Sequence, residues 1–185
     1  RLPGWPGVAP EASRPDPELA SCRHNQGESL LTMDLSIIIV NYNTCDLLRD
    51  CLRSVFASQS RLSYEVLVVD NKSPDNSVAM VRSEYPQARL IESPINGGYA
   101  YANNLGLRVA TGAHLLLLNP DTVVAPRALQ DMYAFVLDHP DAGVVGPKLV
   151  LADGSLDRAC RRSFPTLEVA FYRLVGLSRR YPQSA

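Results

Sequence analysis

From Met33 onward the chain alternates short apolar runs with longer amphipathic ones. "LSIIIVN" (35–41) is β-branched and apolar, too short for a buried helix and right for a central parallel strand. "TCDLLRDCLRSVFAS" follows, with Leu47, Leu48, Cys51, Leu52, Val55 and Phe56 on one helical face and Thr44 as its N-cap. "YEVLVVD" (64–70) predicts a second strand. "SPDNSVAMVRSEY" predicts a second helix, capped by Ser73 with Pro74 at its first position. "ARLIES" (88–93) is a weaker third strand, "NGGYAYANNLGLRVA" leads into a third helix, and "HLLLLN" reads as a fourth, buried strand. "PRALQDMYAFVLDH" puts Leu129, Met132, Tyr133, Val136 and Leu137 on one face after Pro126. "AGVVGPKLVL" predicts another strand before a turn at Asp153–Gly154, and "PTLEVAFYRLVGLSRR" a weakly amphipathic last helix, basic at its end. Strand and helix alternate with short connections, so the fold class is α/β: right-handed βαβ units, a largely parallel sheet and helices on both faces.

The first 32 residues break this pattern. They hold five of the 14 prolines and no sustained period, which predicts a flexible tail, with sequence upstream of a true start at Met33 as its origin. Residues 33–185 then form a single domain. With 185 residues and 46% hydrophobic content the chain can bury a sizeable core. A formal charge of -1 with scattered basic residues gives no electrostatic case for nucleic acid. Cys22, Cys45, Cys51 and Cys160 form no CxxC or Cys/His metal spacing, and free thiols in a reducing cytosol are expected. No apolar run reaches a membrane span and no signal peptide precedes the first strand, so the expectation is a soluble, cytoplasmic chain.

In such sheets ligands bind at the carboxyl ends of the strands, and these ends are unusually polar. Strand 1 ends in Asn41-Tyr42-Asn43 and strand 2 in Asp70-Asn71. The loop after strand 3 carries Asn96-Gly97-Gly98, and strand 4 ends in Asn119-Pro120-Asp121. One Asn or Asp at a strand end is a common turn former; four such ends on one edge point to a site. The turn "NYNT" has no GxGxxG, and no GxxxxGK[ST] or GxSxG occurs, which argues against a Rossmann dehydrogenase, a P-loop NTPase and a serine hydrolase. His24, His114 and His139 lie away from this edge.

"SIIIVNYNT", "EVLVVDNKS", "NGGYAYANNLGLRVATG" and "LLLLNPDTVV" occur in the order and spacing of family 2 glycosyltransferases, which have the GT-A fold. "GPKLVLADGS" followed by "CRRSFPT" resembles the rhamnosyltransferase-like branch that builds bacterial cell-surface polysaccharides. The resemblance covers roughly 35–177. It implies a nucleoside-diphosphate sugar, dTDP- or UDP-linked, as donor, a glycan or lipid-linked glycan as acceptor, and inversion at the anomeric carbon. Val40, Asn41, Tyr42 and Asn43 would line the base. Asp70 and Asn71 stand where members commonly carry two acids; the Asn71 amide can both accept and donate, which suits thymine or uracil, a plain turn residue being the alternative. Gly97 and Gly98 would let the backbone approach the ligand, with Asn96 shaping the turn. Asn103 and Asn104 could face the sugar or phosphates, or simply solvent.

The family's Asp-x-Asp motif reads Asn119-Pro120-Asp121 here, its first acid replaced by an amide. Asp121 would hold Mg²⁺ or Mn²⁺, a hard cation that neutralises charge on the departing diphosphate; a helix-capping role is the rival, weakened because Pro126 marks the start of that helix. Inverting transfer also needs a base for the acceptor hydroxyl. In the family it lies well downstream, in a Gly-Gly-Phe-Asp and Glu-Asp region, so the resemblance places the catalytic base beyond Ala185, the last residue of this sequence. Asp138, Asp141, Asp153 and Asp157 have no matching context. The expectation is therefore a chain with its donor half present, its acceptor half incomplete and little turnover alone. The apolar face of the last helix would favour self-association or peripheral contact with the inner face of the membrane. A non-catalytic nucleotide-sugar-binding module acting with a partner chain is the main alternative. A nucleotidyltransferase lacks its glycine-rich basic loop, and a response-regulator receiver lacks its acidic pair.

Overall fold

The chain divides between Thr32 and Met33, and a computed structural model describes residues 33–151 and 153–157, all in the second unit. The expected tail and the expected last helix, with the chain end at Ala185, lie outside the described residues. The elements are β1 (Leu35–Asn41), α1 (Cys45–Phe56), β2 (Tyr64–Asp70), α2 (Ser77–Glu84), β3 (Arg89–Glu92), α3 (Gly98–Leu107), β4 (His114–Leu118) and α4 (Ala128–Asp138). The four strands form one parallel sheet in the order β3-β2-β1-β4.

β1 lies between β2 and β4 and all seven of its residues are buried, as its continuous apolar run requires. On one face Ile37, Ile39, Val66 and Val68 pack against Leu48, Cys51, Leu52 and Val55 of α1, with Met80, Val81 and Leu129 completing the layer. On the other face Ile38, Val40, Leu67 and Val69 meet Ala102 of α3. Each fully buried aliphatic side chain contributes about 1.5–3 kcal/mol, so these two layers hold the sheet. Gly106 lets α3 sit close, because a Cβ there would come within 2.7 Å of Ile38 Cγ2. Register carries the consequence for function: Asn41 pairs with Asp70, so the first two polar strand ends emerge side by side.

Several expectations are corrected. Thr44 does stand at the N-cap of α1 as expected, but without a side-chain cap bond; its hydroxyl donates to Asn41 Oδ1 at 2.7 Å. α2 begins at Ser77 rather than at Pro74, and Asp75 accepts from the Ser77 N–H and hydroxyl. Asp75 also accepts from the Cys45 N–H at 3.0 Å, so one carboxylate serves the first turns of both helices. Leu47 and Leu137 point outward, away from the packed faces of their helices. Among the described residues β4 is an edge strand rather than a strand buried on both faces: Leu115 and Leu117 are 52% and 48% exposed. The segment 142–151 forms no strand among the described residues, only an antiparallel bridge between Val150 and Leu156 around the Asp153–Gly154 turn. No helix among the described residues is long and apolar enough to cross a membrane.

The sheet's opposite edge is closed by a carboxylate clasp. Glu65 Oε1 accepts from Ser36 Oγ (2.6 Å), Thr111 N–H (2.7 Å) and Thr111 Oγ1 (2.8 Å), while Ser36 Oγ accepts from Gly112 N–H at 2.8 Å. Burial raises the Glu65 carboxyl, but these hydrogen bonds together outweigh it and hold it below the usual value of 4.5. A carboxyl lowered in the folded state adds stability above its unfolded pKa and loses it as pH falls through its folded pKa. Glu65→Gln is therefore expected to lower the melting temperature at neutral pH, with the gap to wild type narrowing as both are acidified below 4.5. Parallel thermal melts across pH check this; a gap that stays constant would contradict it.

Candidate functional site

At the carboxyl edge the exits of β1 and β2 are tied into one network. Asn41 is fully buried, and its Nδ2 donates to Asp70 Oδ1 (3.1 Å) and to Ser73 Oγ (3.0 Å). Asp70 Oδ2 accepts from Ser73 N–H at 2.9 Å, and Ser73 Oγ accepts from Asn43 N–H at 3.0 Å. The Asn71 N–H donates to the Asn41 carbonyl at 2.8 Å. These bonds force two non-glycine residues into the left-handed region, Asn43 at φ 54° and Lys72 at φ 64°. Such conformations persist only where surroundings over-determine them, and they cluster at ligand sites.

The third polar loop is built by Asn71. Its Oδ1 accepts from Gly97 N–H (3.1 Å) and its Nδ2 donates to Asn96 Oδ1 (2.7 Å), which in turn accepts from Gly98 N–H (3.2 Å). Gly98 adopts φ 82° with open space where a Cβ would stand. Asn71 is thus buried under the loop it shapes, rather than turned outward toward a base. Asn103 is also buried; its Nδ2 donates to the Tyr99 carbonyl (2.9 Å), while its Oδ1 has no hydrogen-bond partner among the described residues. Tyr99 Oη donates to Asn119 Oδ1 at 3.4 Å and so links the first turn of α3 to the exit of β4.

The expected site residues therefore separate into two groups. Tyr42, Asn43, Asn96, Gly97, Gly98, Asn104, Asn119 and Asp121 are exposed along one edge. Asn41, Asp70, Asn71 and Asn103 are buried and hold that edge in shape. Val40 belongs to the core, its side chain packed against α3. The catalytic base, expected beyond Ala185, falls outside the described residues. The sequence reading missed Asp75, Cys51 and Ser54. Asp75 binds the starts of both helices, and burial, raising its carboxyl, is outweighed by hydrogen bonds from Ser77 and Cys45, which hold it below the usual range. Cys51 and Ser54 touch the loop after β4: Cys51 Sγ donates to the Asn119 carbonyl at 3.7 Å and Ser54 Oγ accepts from Val124 N–H at 2.9 Å. The Cys51 thiol is pushed up to about 12, chiefly by burial and further by the Asp121 carboxylate. An amphipathic pattern marks Cys51 only as apolar, so no sequence signal separates it from its neighbours.

Among the described residues no group of three or more His, Cys, Asp or Glu side chains could hold a metal ion alone. Carboxylates near this edge are otherwise engaged: Asp46 with Arg49, Asp70 with Asn41, Asp75 with Cys45 and Ser77, and Glu92 with Arg82. Asp121 is exposed and makes no hydrogen bond or ion pair among the described residues. One free carboxylate is a poor cage but fits a hard cation such as Mg²⁺, which takes one or two protein carboxylates and completes its shell with phosphate oxygens and water.

A sequence model described as Glycosyl transferase family 2 matches residues 36–172. The uncharacterized glycosyltransferase YibD of Escherichia coli (strain K12) is 32% identical over 110 residues, 58% of this chain and 31% of its own length. The poly(ribitol-phosphate) beta-glucosyltransferase of Bacillus spizizenii is 32% identical over 108 residues, 56% of this chain and 17% of its own length. This chain thus spans a third or less of these two relatives. Among solved structures, S. aureus TarS 1-349 superposes with a TM-score of 0.54 at 26% identity, over 58% of this chain and 33% of that one. The mannosyltransferase PcManGT from Pyrobaculum calidifontis, solved with GDP-Man and Mn²⁺, gives a TM-score of 0.52 at 27% identity, over 56% and 32%. The parallel sheet flanked by helices is the GT-A arrangement of these neighbours. With its strand-end motifs inside the matched span, the chain belongs to glycosyl transferase family 2.

Proposed function

We propose that residues 33–157 form the donor half of a metal-dependent, inverting glycosyltransferase that moves a sugar from a nucleoside diphosphate to a cell-surface glycan. The carrying observation is the unengaged Asp121 carboxylate, standing where Tyr99 joins the loop after β3 to the exit of β4. The donor diphosphate would lie between the Gly97–Gly98 backbone and a Mg²⁺ or Mn²⁺ ion on Asp121, the ion supplying Lewis-acid stabilisation of the leaving group. The GDP-Man and Mn²⁺ bound by PcManGT support the donor class, and the glucosyltransferase's poly(ribitol-phosphate) supports a surface-polymer acceptor. Rhamnose is the sugar implied by the branch that the sequence resembles. Because Asn71 is committed to its own loop, choice of base falls to Tyr42, 49% exposed, and to the backbone around Asn43. The edge described here would serve the donor, and the acceptor's base would come from residues outside it. We place it in the cytoplasm, peripheral to the inner face of the membrane.

Calorimetric titration with UDP, dTDP and GDP, each with and without Mn²⁺, tests this reading. Binding of UDP or dTDP that tightens with Mn²⁺ is expected. Binding indifferent to metal would point instead to a nucleotide-binding module without transferase chemistry.

A further inference from the structure

We infer that α1 is the positioning element of the metal-binding loop, with Ser54 and Cys51 fixing where the Asp121 carboxylate stands. The inference rests on the donor-site reading above and adds residues that reading does not use. Asp121 has no hydrogen bond of its own among the described residues, so its place is inherited from the backbone that carries it. That backbone is a tight turn: Thr122 N–H donates to the Asn119 carbonyl at 3.2 Å, with Pro120 and Asp121 as its central residues.

Both flanks of the turn are anchored on one face of one helix. Cys51 and Ser54, three residues apart on α1, lie on the same side of it. Before the turn, the Cys51 thiol donates to the Asn119 carbonyl at 3.7 Å. After it, Ser54 Oγ accepts from Val124 N–H at 2.9 Å while donating to the Cys51 carbonyl at 2.7 Å. The Ser54 hydroxyl thereby gives its one proton to the helix and offers its lone pair to the loop, a fixed polarity. A third tie follows where Gln59 N–H donates to the Pro126 carbonyl at 2.7 Å. Cys51 is itself held in the core between the sheet and α1. The loop is therefore referenced to the buried core rather than to solvent. A metal ligand set by its outer partners loses affinity when they go, commonly by about 10–100-fold.

The test uses the full 185-residue chain and UDP as probe, titrated calorimetrically at a series of Mn²⁺ concentrations. The readout is the ratio of UDP affinity with saturating Mn²⁺ to that without, which a general loss of stability does not move. Ser54→Ala is expected to cut this ratio by about 10-fold, and Cys51→Ala to cut it in the same direction. Ser54→Thr, which keeps a hydroxyl, restores most of it. Melting temperatures of all variants are recorded beside the ratios. If Ser54→Ala and Cys51→Ala both keep the wild-type ratio while Asp121→Ala loses it, the positioning role is overturned and the donor site stands. If Asp121→Ala also keeps the ratio, or wild type shows no gain with Mn²⁺, the donor-metal reading fails and takes this inference with it.

Discussion

Replacing Asp121 with alanine is expected to remove the Mn²⁺-dependent share of nucleotide-diphosphate binding, a loss on the order of 100-fold in UDP affinity at saturating metal. The size follows from the geometry. Losing an outer partner of a metal ligand costs about 10–100-fold, and losing the ligand itself belongs at the top of that range. The carboxylates at the neighbouring strand and helix ends are already engaged: Asp70 is buried and held by Asn41 and Ser73, and Asp75 is held by the starts of two helices. Asp121→Asn keeps the shape of the side chain but not the charge, and is expected to behave like the alanine variant. Neither substitution should cost much stability, because the side chain is exposed and makes no hydrogen bond or ion pair among the described residues. Calorimetry and melting curves on the same preparations separate the two effects. Unchanged Mn²⁺ dependence in both variants would remove Asp121 from the metal site.

β1 and β2 were readable from sequence because they are buried on both faces or nearly so. β1 and β2 begin and end where their apolar runs do, at 35–41 and 64–70. Where the run was misleading, the reason is position in the sheet. "HLLLL" carries the composition of a central strand yet lies at the edge of the sheet among the described residues, because apolar character reports what a residue can pack against and not where its strand stands in the sheet. "AGVVGPKLVL" fails as a strand among the described residues for a related reason: β propensity needs a partner, and only Val150 finds one. The caps were legible only in part. Thr44 does stand at the N-cap of α1 and Ser73 does not cap α2, but the side chains of both bond Asn41 and its neighbours, and a carboxylate thirty residues from the start of α1 binds that start instead. Local sequence cannot show a cap that arrives from another loop.

The same distinction runs through the site. Clustering of polar strand ends identified the edge, since topology alone brings β-strand exits together. It did not separate the residues exposed along that edge from the buried ones that hold them. Asn71 and Asn96 are both amides in polar loops, but one is buried with both its donor and acceptor engaged and the other stands at the rim. Ser54 and Cys51 sit within a helix whose pattern is fully explained by packing, and only the third dimension brings them to the loop after β4.

Asn41→Asp is expected to be the most damaging single-atom exchange in the molecule, costing about 3–5 kcal/mol at neutral pH. Asn41 is fully buried, and its Nδ2 donates to Asp70 Oδ1 at 3.1 Å. The substitution replaces that donor with an oxygen, placing two carboxylates in contact where water cannot screen them. They cannot both ionise, so the pair retains a proton to higher pH in the folded state than in the unfolded chain. A carboxyl raised by folding contributes stability that is present below its unfolded pKa and lost as pH rises through the folded value. The variant should therefore approach wild type in acid, where the shared proton restores an O–H···O bond, and fall away from it toward neutrality. Asn41→Ala supplies the contrast: it leaves Asp70 Oδ1 and the Ser73 and Thr44 hydroxyls without their partner, a smaller loss that changes less with pH. Urea denaturation of the three proteins across pH reads the difference directly. The same network fixes the Asn43 turn and the Ser73 loop, so nucleotide binding should decline with stability in both variants. An Asn41→Asp protein as stable as wild type at neutral pH would mean that the exits of β1 and β2 are not joined in this way.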